Sequence, residues 1–181
     1  MAELLDRWAE PHRRYHSQAH LRDGLAALDL LQAGRLERVA FWFHDAVHHN
    51  ASPDDELASV ALARGLLRGL PAAEVDEVCG LILVTVDHAP HPDDEAGGRM
   101  ADADLHRLRL PWERYCVNVA AIRAELPDLG PAEWVERRRR FIERMLSRGS
   151  VFHTPKGLAL WEHQARYNLR RELDQLSASS W

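Results

Sequence analysis

Eleven histidines are scattered along this 181-residue chain, and three short stretches group histidine or aspartate side chains at close spacing. His44-Asp45 directly follows Val39-Ala40-Phe41-Trp42-Phe43, the most apolar run in the sequence. An ionised carboxylate there is costly unless a cation compensates it. Its neighbouring imidazole adds a neutral nitrogen ligand; a solvated pair closing a helix is the plain alternative. His16 and His20 stand four apart, so on a helix they share one face. That spacing suits two metal ligands, or one ligand beside a proton donor. Asp102 and Asp104 flank an alanine at the start of a short predicted helix. An acidic first turn explains one of them. The other would complete a His, His-Asp, Asp set with coordination positions left open, as a catalytic metal site requires.

Helices must position such a set, and the pattern is helical nearly throughout. Gly and Pro punctuate stretches of period 3.6. A first helix fits about 14–32, with Leu21, Leu25, Leu28 and Leu31 on one face and Gly34 stopping it. A second spans about 35–48 and contains Val39-Ala40-Phe41-Trp42-Phe43, apolar all round and hence buried. Ser52 is a suitable N-cap and Pro53 a suitable first residue for a third, about 53–69. A fourth follows over about 71–87, carrying Val75, Val78, Cys79, Ile82 and Val86 at helical spacing. The stretch 88–98 is a polar loop, and helices follow near 99–108, 111–126, 131–147 and 156–176. No alternating β runs, repeats or low-complexity tracts interrupt this. The expectation is an all-α, compact single-domain helical bundle over 1–181.

Composition narrows the function. Hydrophobic residues make up 46% of the chain, which excludes disorder as a default. The balance of 23 basic against 28 acidic residues argues against sequence-independent nucleic-acid binding. A small anionic substrate stays open, because a metal supplies local positive charge. All but one of the basic side chains are Arg, Lys156 being the exception; with the abundance of Ala and Leu this reads as codon bias. Cys79 and Cys116 lack CxxC spacing and sit in apolar helical patterns, the signature of buried thiols. The N-terminal stretch MAELLDRWAEPHRR lacks the apolar core of a signal peptide, and no run reaches the ~18 apolar residues of a membrane span. A cytoplasmic protein is expected, with no membrane partner. Large side chains such as Trp181 leave room for a homodimer.

Taken together, RRYHSQAHL (13–21), AFWFHDAV (40–47), DDELASVALA (54–63), TVDHAP (85–90) and DADLHRL (102–108) give the chain a resemblance to the HD superfamily of metal-dependent phosphohydrolases. More narrowly, it resembles a bacterial family of predicted HD-domain phosphohydrolases. WERYCVNVAAIRAEL (112–126) and EHQARYNLRREL (162–173) extend the likeness over nearly the whole chain. The resemblance implies an HD-type bundle with His20, His44, Asp45 and Asp104 as metal ligands, Asp102 being the alternative to Asp104. It implies catalytic roles for His16 as leaving-group acid, for Glu56 acting on the attacking water, and for His88 on a second metal or the phosphate. For His88 a helix C-cap is the bland alternative. His48-His49 departs from the family pattern. An exposed loop pair is its commoner fate, although His48 could join the site.

Arg13, Arg14, Arg123 and Arg166 are candidates for phosphate contact, while solvated or salt-bridged roles are the commoner fate of an arginine. The reading is a phosphomonoesterase or phosphodiesterase acting on a small phosphorylated substrate, by analogy a nucleotide. Its cofactor would be a divalent transition metal: Mn, Fe, Co, Ni or Zn. The alternatives are a non-catalytic metal-stabilised binding domain, or a di-iron oxygenase recruiting His48 and His88.

Overall fold

In the computed structural model, which describes residues 2–178, helices and turns form the whole architecture and no strand occurs among the described residues. The helices are α1 (Ala2–Trp8), α2 (Gln18–Leu30), α3 (Arg35–Phe43), α4 (Asp54–Leu66) and α5 (Ala72–Leu83). They continue with α6 (Glu95–Leu105), α7 (Trp112–Ala124), α8 (Pro131–Ser147), α9 (Pro155–Leu160) and α10 (Glu162–Ala178). Short 3-10 turns extend α5 and α6. Among the described residues no helix is long and apolar enough to cross a membrane. Trp181 lies outside the described residues.

One continuous core joins side chains from α1 to α6 with others from α8 and α10. The amphipathic faces expected from sequence supply it: Leu21, Leu28 and Leu31 from the α2 region, and Val78 and Ile82 from α5, are all buried. α3 lies between α2 and α5, and α6 closes against α2. Gly24 makes the α2–α3 contact possible, because a Cβ there would meet the Phe41 ring at 2.0 Å. On the far side Arg138 of α8 bonds Glu172 of α10 and the Tyr115 hydroxyl of α7, tying three helices through a buried network. Cys79 is buried, Cys116 half-buried, and both are free thiols.

Several helix ends differ from the periodic pattern, each for a reason carried by a distant side chain. α1, with fully buried Trp8, was not anticipated. The first predicted helix starts at Gln18 rather than 14, because the amides of Arg14, Tyr15 and His16 all donate to Glu125 Oε1. α3 ends at Phe43 rather than 48: Arg13 takes the carbonyls of Asp45 and Ala46, and Ser59 takes the amide of Val47. Ser52 does not cap α4; Pro53 occupies that position, and Asp55 instead accepts from the amides of His49 and Ala51. α6 begins at Glu95, ahead of the expected 99, because Asp94 caps the amide of Gly97. The last predicted helix is broken at buried Trp161, which packs against Phe152.

Candidate metal centre

Four ligand types expected together do converge. His20 comes from the first turn of α2, His44 from the end of α3, Asp45 from the turn that follows, and Asp104 from the last turn of α6. One ligand atom from each lies within 4.8 Å of all the others. His20 Nε2 is 3.0 Å from Asp104 Oδ1 and 3.3 Å from His44 Nε2. His44 Nε2 is 3.1 Å from Asp45 Oδ2 and 3.4 Å from Asp104 Oδ1. Ligands at ~2.1 Å around a tetrahedral cation stand about 3.4 Å apart, so these spacings match a cation of transition-metal size. Two ring nitrogens turned toward each other between two carboxylates could hold a metal ion.

The tautomer of His44 agrees. Its Nδ1–H donates to the Phe41 carbonyl at 2.8 Å, leaving the Nε2 lone pair inward. Both imidazoles are fully enclosed, while Asp45 and Asp104 keep about 15% of their side chains accessible. The carboxylates therefore face the space where water or substrate would enter. Burial alone would raise the carboxyl of Asp45, but His44, His16 and His48 hold it far below the ordinary range. Asp104 is held low in the same way by His44 and His20. For His44, burial is outweighed by Asp45 and Asp104, which raise its pKa; for His20, burial prevails and lowers it. A cation among these groups would compete with protons for the same ring nitrogens and carboxylates.

Helix geometry settles the choice between the two aspartates. Residues two apart on a helix point about 200° apart, so only one can face the centre. Asp104 does. Asp102 points away, accepting from the amides of His153 and Thr154 and from the Thr154 hydroxyl. It secures the segment entering α9, where Gly157 has no Cβ to strike the carboxylate.

His16 is not on the helix of His20, yet its ring lies 5.8 Å from that of His20. Glu125, at the end of α7, accepts from His16 Nδ1 at 2.6 Å. Burial lowers the pKa of His16, but Asp45 and the hydrogen bond and charge of Glu125 raise it by more. Glu125 itself, despite burial, is held well below the carboxylate range, chiefly by the hydrogen bond from His16 and by the nearby His48 imidazole. The sequence reading missed it. An acidic residue at a helix C-terminus, where the macrodipole disfavours negative charge, was the available signal.

His88 closes the turn after α5 with φ 55°, its amide bonding the Val84 carbonyl. Its Nε2 donates to Asp104 Oδ2 at 2.7 Å, leaving Oδ1 of that carboxylate to the centre. His88 thus closes a turn through its backbone and meets Asp104 through its side chain. Glu56 stands in the cavity wall, with Oε2 buried and unpaired. The expectation of an exposed His48-His49 pair fails for His48, which is buried, and holds for His49.

A cavity of about 260 Å³ opens over the centre, with His16, Asp45, His48, His88 and Asp104 on its wall. The opposite wall carries Tyr115, Trp134 and Phe141, with Arg137 and Arg144 on the same face of α8 as Trp134 and Phe141. None of the four arginines proposed from sequence lines it. Arg13, Arg123 and Arg166 hold backbone carbonyls instead, and Arg14 is exposed away from the cavity. No protein-family model, characterised protein or solved structure matches this chain.

Proposed function

We propose that the chain is a metal-dependent phosphohydrolase of HD type, cleaving a small phosphate ester in the cavity above His20, His44, Asp45 and Asp104. The observation that carries this reading is the four-residue donor cluster with its accessible edge turned into a cavity lined by further acid–base groups. The resemblance noted in the sequence supports it, as does the size of the cavity, which suits a small ligand. A divalent cation held there supplies the positive charge that makes water nucleophilic at neutral pH and draws off phosphoryl charge.

The protein's own groups account for the proton traffic. His16, with Nδ1 engaged by Glu125, keeps Nε2 to donate to the departing oxygen, and the Glu125 carboxylate favours its charged form. The unpaired oxygen of Glu56 accepts from attacking water. His88 holds Asp104 in register. Arg137 and Arg144, with Trp134 and Phe141, offer cationic and aromatic surface to the part of the substrate remote from the phosphorus.

Metal analysis of the purified chain, run beside phosphodiesterase and phosphomonoesterase assays, tests the reading. Wild-type protein should carry the cation and turn over substrate, and His44→Ala and Asp45→Ala should lose the cation of this centre and turnover together. Full metal content and activity in those variants would place the chemistry elsewhere. Bound metal without turnover across a nucleotide and diester panel would leave a binding domain.

A further inference from the structure

Outside the four-residue centre, a second group of ligand-type side chains meets in the fold. His16, in the segment before α2, His48, in the turn after α3, and Glu125, at the end of α7, each offer one ligand atom within 4.8 Å of the other two. Three chain segments far apart in sequence supply them. We propose that His16, His48 and Glu125 form a second cation site beside the first, taking a borderline divalent ion such as Zn²⁺ or Co²⁺.

Geometry carries this. Glu125 Oε2 lies 2.6 Å from His16 Nδ1 and 3.6 Å from His48 Nε2. Its other oxygen is occupied by three consecutive backbone amides, so the carboxylate cannot turn away. His48 Nε2 is the telling atom: it is buried, has no hydrogen-bond partner, and belongs to a side chain only 9% exposed. A buried ring nitrogen left unpaired is costly, and a cation shared with Glu125 would satisfy it. The rings of His16 and His48 lie 4.0 Å apart between centroids, so two imidazoles converge on one carboxylate. Two nitrogens and one oxygen form a set for borderline ions, with positions left open for water. Asp45 stands between the two groups, with Oδ2 at the first and Oδ1 4.0 Å from His48 Nδ1.

The site does not rest on the phosphohydrolase reading. Where that reading holds, a cation at Nδ1 takes the place of the proton shared with Glu125, and His16 ceases to be a proton donor. Turnover then rises with the first equivalent and falls with the second.

Equilibrium dialysis of the full chain against Zn²⁺, followed by metal analysis, measures the stoichiometry directly. Wild type should bind two equivalents, and Glu125→Gln and His48→Ala one each, with helical circular dichroism unchanged. Asp104→Asn, which alters only the first cluster, should lose the other equivalent. A single equivalent in the wild type, or two retained in both Glu125→Gln and His48→Ala, would overturn the proposal.

Discussion

An imidazole's chemistry is decided by which of its nitrogens is already engaged. In His44 the outer nitrogen is spent on the Phe41 carbonyl, which makes the inner one a ligand. In His16 Nδ1 is spent on Glu125, which leaves Nε2 for the cavity, and in His88 Nε2 is spent on Asp104. His16→Asn should therefore keep the cation at the four-residue centre while kcat falls about 10²- to 10⁴-fold. The loss should be steep for an alkyl ester and slight for a nitrophenyl ester, whose leaving group needs no proton; equal losses on both would deny His16 that role. Residue types and spacings pointed to His44-Asp45, to the His16 and His20 pair and to Asp102 or Asp104; the resemblance to HD phosphohydrolases singled out His20, His44, Asp45 and Asp104. For Glu125 the only local signal was a carboxylate at a helix C-terminus: its partners lie some 110 positions away in sequence, and no local pattern encodes that distance. The burial of His48 was hidden for the same reason.

Among the elements, the contact between α2 and α3 sets the centre, since His20 rides on one and His44 ends the other. Phe41 fills the space opposite Gly24, and its ring centroid lies 4.3 Å from that of His44, the planes tilted by 39°. Gly24→Ala should cost about 1–3 kcal/mol through overpacking, read as a lower denaturation midpoint, and should weaken metal binding as Phe41 pushes on His44. An unchanged midpoint would mean that α2 yields without consequence. The periodicity of apolar residues was sufficient to find these helices and their buried faces. It misplaced their ends, because Arg13, Ser59, Asp94 and Glu125 satisfy backbone groups that a longer or shorter helix would otherwise use. The 200° between Asp102 and Asp104 shows the converse: once the helix is known, a choice left open between neighbours closes by geometry alone.

At the scale of the molecule, the centre joins α2, α3 and α6, so an ion that binds there binds only the folded chain. A cation present at 100 times its dissociation constant adds about 2.7 kcal/mol to stability. For a chain of this length that corresponds to roughly 5–10 °C in Tm. Stripping the protein with chelator should lower Tm by that order, and readdition should restore it. A Tm indifferent to chelator would show that no cation bridges these helices.

The three amides gathered by Glu125 carry a consequence for descent. A side chain that both anchors the backbone of residues 14–16 and serves the cavity is constrained twice. A lineage of this chain that abandoned its chemistry would be free to lose His16 or His48, since nothing in the backbone depends on their rings. It would still keep Glu125, because three buried amides would go unsatisfied without it. Among descendants, the fate of the two histidines would record whether function persists, and the glutamate would record only that the fold does.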